Sequence, residues 1–124
     1  MKPDNFLIGS PKKIATVFLI DFGLAKHYLN EVTEKHIPFK EGKKFIGTAR
    51  FASIRTHEGY EQSRRDDLEG MCYVMIYFMR KSLPWRNIMA DEKEKKYEMI
   101  KKLKIKYVSK SLCKRLPSTP HYHW

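Results

Sequence analysis

Asp21, Phe22 and Gly23 close the apolar run Leu19-Ile20, and a carboxylate at that point needs a ligand or a partner to justify its place. Sixteen residues upstream, Lys2-Pro3-Asp4-Asn5 supplies a side-chain amide oxygen. An Asn oxygen and an Asp carboxylate are the hard donors that Mg²⁺ takes, and Mg²⁺ held against phosphates is the central requirement of phosphoryl transfer. Asn5 and Asp21 are therefore candidate metal and nucleotide ligands. They can serve one site only if the chain between them doubles back.

The intervening pattern predicts that it does. Residues 6–8 (FLI) and 15–20 (ATVFLI) read as two short strands, with Gly9, Ser10 and Pro11 as the turn between them. A hairpin of this kind brings Asn5 and Asp21 to the same end. Residues 24–55 then lose periodicity and gain Pro38, Gly42 and Gly47, which predicts a long functional loop or a disordered stretch directly after the acidic ligand.

A helix is expected over residues 61–81, polar at its start and apolar on almost every side from Met71 to Met79, which predicts burial all round. Pro84 in SLPW is read as its breaker. A second helix opens near Asp91, with Asp91 and Glu94 as its N-terminal cap and Glu92–Lys96 and Glu98–Lys102 as i,i+4 ion pairs. The final segment, STPHYHW, carries turn residues and aromatics without a period and is expected to be poorly ordered.

Composition limits the function classes. The 124 residues suit one domain, and 42% hydrophobic with 31% charged residues argue against wholesale disorder. A formal charge of +11 predicts attraction to polyanions without saying which. Cys72 and Cys113 are far apart, so they read as two partly buried thiols in a reducing compartment and not as a zinc or disulfide framework. MCYVMIYFM is about half the length of a membrane span. No secretory leader is visible, and a cytoplasmic or nuclear setting is expected. His121 and His123 lie two apart in the tail and carry little weight as metal ligands.

Several motifs together make the pattern specific. Asp21-Phe22-Gly23 matches the metal-binding signature of protein kinases, and Lys2-Pro3-Asp4-Asn5 matches the second half of their catalytic loop. GTARFASI at 47–54, EQSRRDDLE at 61–69 and SLPW at 82–85, with HIPF at 36–39 and KYE at 96–98, resemble the casein kinase I family of Ser/Thr protein kinases. The resemblance covers residues 1–117 and leaves 118–124 as a divergent tail. It implies an α+β, kinase-like fold: a partial, mainly helical C-terminal lobe with a small β-hairpin carrying the metal site.

By the same resemblance, ATP and Mg²⁺ are the cofactors, with Asn5 and Asp21 as metal ligands, Lys2 neutralising the transferring phosphate and Gly23 completing the acidic motif. Thr48 bonds into the catalytic loop, and Asp67 is the buried aspartate that supports that loop from the central helix. Arg50 and Lys96 form the anion site that selects acidic or already phosphorylated protein substrates. An Arg fork and a Lys point charge suit a phosphate dianion.

The match also has gaps. The resemblance puts the aspartate that positions the substrate hydroxyl just before Met1, and a Gly-rich phosphate loop and a Val-Ala-Ile-Lys lysine are not among the 124 residues. Arg55, Asn87 and Gly70 stand where the family usually has Asn, Gly and Ser. The expectation is thus a kinase fragment that does not turn over by itself. The competing expectation is a noncatalytic module that docks phosphorylated or acidic partners through Arg50 and Lys96. Nucleic-acid binding by the lysine-rich run from Lys93 to Lys106 ranks below both, and the oligomeric state is left open.

Overall fold

The computed structural model describes residues 1–108 and 112–114. The divergent tail, with His121 and His123, lies outside the described residues, and so does its expected disorder. What is described is a small α+β arrangement: a two-stranded antiparallel hairpin followed by three helices.

The hairpin comes first. Strands β1 (Phe6–Ile8) and β2 (Val17–Leu19) pair antiparallel, with Phe6 opposite Leu19 and Ile8 opposite Val17. The second strand is shorter than the sequence pattern suggests, because the Thr16 N–H is still turned back onto the Lys13 carbonyl. Short 3₁₀ turns, Pro3–Asn5 and Pro11–Lys13, stand before β1 and between the strands, each opened by a proline whose fixed φ suits a first helical position. All three β2 residues are exposed, while Phe6 on β1 is half-buried and packs against the core.

Residues 24–53 hold no helix or strand, and one isolated bridge joins Leu29 to His36. Helix α1 (Ile54–His57) is a single turn capped by Ser53, whose hydroxyl accepts the Thr56 N–H. Helix α2 (Arg64–Arg80) opens with a capping box in which Ser63 and Asp66 satisfy each other's backbone N–H groups. It ends at Lys81, in the left-handed region at φ 57°, and so stops before Pro84.

Three expectations about the helices need correction. Helix α2 is not buried all round: Tyr73, Val74 and Ile76 face the core, while Met75, Phe78 and Met79 are exposed because only one face of the helix is covered. Helix α3 (Lys93–Val108) starts at Lys93, so Glu92 and not Asp91 is the residue before it. Its ion pairs run Glu92–Lys95 and Glu98–Lys101, at i,i+3, in place of the i,i+4 pairs. These pairs are exposed and hold little stability. Cys72 and Cys113 are exposed thiols and not partly buried ones.

The core lies in the second half of the chain. Ala49, Phe51, Tyr73, Val74, Ile76, Leu83, Trp85, Ile100 and Leu112 form one buried cluster. Tyr73 meets Trp85 edge to face at 5.2 Å between ring centroids, and Phe51 meets Tyr77 the same way at 5.7 Å. Helix α1 packs on α3, and the 48–53 turn sits over α2 and α3. Among the described residues no helix is long and apolar enough to cross a membrane.

Candidate functional site

Asn5 and Asp21 are brought together by the backbone of the hairpin. The Asn5 N–H donates to the Lys2 carbonyl at 3.1 Å, closing the first 3₁₀ turn, and the Ile20 N–H donates to the Asn5 carbonyl at 2.9 Å. Asp21 follows immediately. It holds φ 67°, a left-handed conformation that non-glycine residues adopt at some cost and that Asp tolerates better than most. Strain of this kind concentrates where a side chain must be aimed.

Both residues line one open cleft of about 510 Å³ between the hairpin and the start of α2. Lys26, Lys43, Lys44 and Arg64 give its wall a positive bias, opposed by Glu61 and Asp67. Glu61 is spoken for: Lys26 bonds it closely and the Lys43 ammonium lies 3.1 Å away. These two bonds, from Lys26 first and then Lys43, hold its carboxyl below the usual range. Arg64 lays its guanidinium 4.2 Å from the centre of the Tyr28 ring.

The donor set of Asn5 and Asp21 fits Mg²⁺, which keeps several waters and takes one or two carboxylates plus the substrate's phosphates. Among the described residues no group of three or more His, Cys, Asp or Glu side chains gathers into a metal cage. A site of this composition would therefore depend on nucleotide oxygens to complete it.

The remaining residues of interest are more dispersed. Lys2 is half-buried at the root of the hairpin and is not among the residues lining the cleft. Gly23 is required here neither by space nor by backbone: a Cβ would meet Asp21 Oδ1 at an ordinary 3.5 Å, and its φ is not left-handed. Thr48 is exposed beside a second, small polar pocket of about 40 Å³ that it shares with Met1, Asp66, Asp67 and Gly70. Asp67 lines both pockets and is exposed.

The buried carboxylate of the pair is Asp66. It accepts the Ser63 N–H at 2.7 Å and the Ser53 hydroxyl at 2.6 Å, which ties the 48–53 turn to α2. One residue of helix turns the side chain by about 100°, enough to send Asp66 inward and leave Asp67 at the surface. Arg50 is half-buried on the 48–53 turn and Lys96 is exposed on α3, and neither lines the two pockets described above.

Sequence reasoning passed over the most unusual polar group in the molecule. Lys104 on α3 has none of its surface exposed. Its ammonium donates to the Ala49 carbonyl at 2.8 Å and, more closely still, to the Ala52 carbonyl. It also lies 4.9 Å from the Tyr73 ring centre and 5.5 Å from that of Trp85. Burial pushes its pKa down to about 7, against a smaller upward pull from the Glu69 carboxylate. His57 Nε2 lies 3.2 Å from both Lys104 Nζ and the Ala49 carbonyl, while its Nδ1 is buried with no partner among the described residues. Burial, then the Lys104 charge, lowers His57 to about 4. One signal was available: Lys104 stands four residues after Ile100, on the stripe that faces the core.

No model of a known protein family matches the chain.

Proposed function

We propose that this chain is part of the large lobe of a Ser/Thr protein kinase of casein kinase I type, whose reaction moves the γ-phosphoryl group of ATP to Ser or Thr in acidic or pre-phosphorylated proteins. The observation that carries this reading is the placing of Asn5 and Asp21 at one end of the hairpin, lining one cleft, with Asp21 in a strained conformation. In this reading Asn5 and Asp21 hold Mg²⁺, which when bound neutralises the phosphate oxygens of ATP. The chain's own contribution is positioning. The pairing of Ile20 with Asn5 fixes the separation of the two donors, and the lysines of the cleft wall attract the anionic nucleotide.

The test is a titration of the purified chain with ATP, with and without Mg²⁺. Mg²⁺-dependent binding is expected, weakened about tenfold or more by Asp21→Asn or by Asn5→Ala. Binding indifferent to both substitutions sinks the reading. Phosphorylation of casein by the 124-residue chain alone is not expected, and turnover that Asp21→Asn abolishes would show that expectation wrong.

A second reading, a noncatalytic module that docks phosphorylated or acidic partners through Arg50 and Lys96, draws on one observation. The turn that carries Arg50 has its carbonyls at 48, 49, 50 and 52 all bonded. The two readings share Arg50 as the anion-binding residue. They differ in whether Mg²⁺ and ATP bind.

A further inference from the structure

A surface turn normally directs most of its carbonyls to water. The turn at residues 48–52 does the reverse. The Thr48 carbonyl accepts the N–H groups of Phe51 and Ala52 at 2.9 and 3.0 Å. The Ala49 and Ala52 carbonyls are both taken by Lys104, which reaches across from α3, fifty-five and fifty-two residues along the chain. The Arg50 carbonyl accepts the Trp85 indole N–H at 2.8 Å. Both donors are deep in the core, with Lys104 at 0% and Trp85 at 1% exposure.

Three nearly consecutive carbonyls are thus drawn inward by two buried side chains, while the Arg50 side chain stays partly exposed. Volume alone does not explain a lysine here. Met or Leu would fill the space between Tyr73 and Trp85 without taking an ammonium out of water. A buried charge is costly unless it is well bonded, and here its bonds go to this turn. Its depressed pKa is the sign that burial opposes the charge. The turn has no regular secondary structure, and beyond its own Thr48 bonds and the Ser53–Asp66 bond at its end, it is these bonds that hold the stretch around Arg50.

We infer that Lys104 and Trp85 are positioning residues: together they clamp the 49–52 turn so that Arg50 is held ready for an anionic group on a protein partner. The anion is a phosphoserine or a cluster of carboxylates, the two sources a guanidinium fork recognises alike. The inference rests on the reading of Arg50 as an anion-binding residue. It adds the devices that aim it, neither of which touches the ligand.

The test is a double-mutant cycle on the full chain, read by fluorescence anisotropy with a labelled phosphoserine peptide. The same peptide with Asp in place of phosphoserine separates the two anion sources. Lys104→Met should weaken binding of whichever peptide depends on Arg50 by about tenfold, and should weaken it no further once Arg50 is Ala. Trp85→Phe keeps an aromatic side chain and deletes the indole N–H, at the cost of the ring that carries it. It should give the same pattern, and it decides the matter if Lys104→Met does not fold. Equal weakening in both backgrounds would mean general loosening and overturn the clamp, as would no weakening by either variant. Tight, Arg50-dependent binding indifferent to Lys104 and Trp85 refutes the clamp alone. Binding unchanged by Arg50→Ala overturns the anion-site reading and the clamp with it.

Discussion

Replacing Lys104 by Met should change how stability depends on pH more than it changes stability at pH 7. The folded protein lowers the Lys104 pKa from 10.5 to about 7. Between those values the unfolded chain binds the proton and the folded chain does not, so stability rises with pH through that window. The full difference is worth roughly 5 kcal/mol, of which roughly 2 kcal/mol is regained between pH 7 and pH 9. Other charges face the same ammonium: His57 from α1, and Glu69 and Tyr73 from α2. His57 is neutral throughout that range, with its pKa lowered to about 4, and burial followed by the Glu69 hydrogen bond raises Tyr73. Lys104 is thus the titrating member of the cluster there.

In the Lys104→Met protein that titration is gone, while the Ala49 and Ala52 carbonyls lose a donor at about 1–3 kcal/mol each. Relief of the buried charge offsets this at pH 7, where the two proteins should be close in stability. By pH 9 wild type should lead, because its own charge burden has lifted. Urea unfolding followed by tryptophan fluorescence at pH 7, 8 and 9 measures the difference. With a slope of about 1–2 kcal/mol per molar, the gap between midpoints should widen by roughly 1–2 M. Parallel pH curves for the two proteins would refute the argument that a buried ammonium is present.

Four further substitutions probe the same framework. His57→Gln should flatten the acid limb of stability: the folded protein lowers His57 from 6.5 to about 4, so wild type loses stability as pH falls through that interval, and a variant with the same acid sensitivity would count against a buried, neutral imidazole. Ser53→Ala removes the cap of α1 and a bonding partner of buried Asp66, and should lower unfolding free energy by about 1–3 kcal/mol in urea titrations. Gly70→Ala would ordinarily add about 1 kcal/mol of helix propensity, but the new Cβ would sit 3.0 Å from the Phe51 carbonyl and 3.4 Å from Met1 Cβ, so no gain in midpoint is expected. Asp21→Gly should leave stability undiminished, since glycine suits φ 67°, while Mg²⁺-dependent ATP binding is lost; retained binding would remove Asp21 from the site.

The hairpin and both long helices were legible because local chemistry decides them. Val17, Phe18 and Leu19 favour an extended pleat, and the apolar run from Met71 to Met79 between polar stretches marks a helix. What a helix packs against is not local. The run from Met71 to Met79 reads as apolar on every side, yet Met75, Phe78 and Met79 are exposed because the rest of the structure covers one face. Adjacent carboxylates at 66 and 67 look equivalent in sequence, and only the direction of the core separates them. Lys104 lies in a lysine-rich run, where a solvated role is the natural assumption, and its burial depends on carbonyls more than fifty residues away. The Asn5–Asp21 pairing was readable because a short hairpin makes a sequence separation into a spatial one.

Two parts of the molecule follow different rules, and the difference bears on the proposed function. The hairpin and the loop after it carry the candidate metal donors and bury no residue of the core, which begins at Ala49. The hairpin is held by a three-pair ladder and by half-buried Phe6, which packs against the core, and the loop by Phe45 and by the Glu61 carboxylate that Lys26 and Lys43 share. The 48–53 turn is tied at several points: by Ser53 to Asp66, by Lys104 to two carbonyls and by Trp85 to a third. Elements with few buried contacts open at lower free energy than elements tied into the core. Hydrogen exchange should therefore be fast at Ile20 and slow at Phe51 and Ala52, although none of the three lies in a helix. In the proposed reading, anion binding at Arg50 would use the more firmly tied turn, while Mg²⁺ and nucleotide at Asn5 and Asp21 would meet a hairpin with fewer buried contacts. Of the two proposed activities, anion recognition is the one expected to carry the smaller ordering cost.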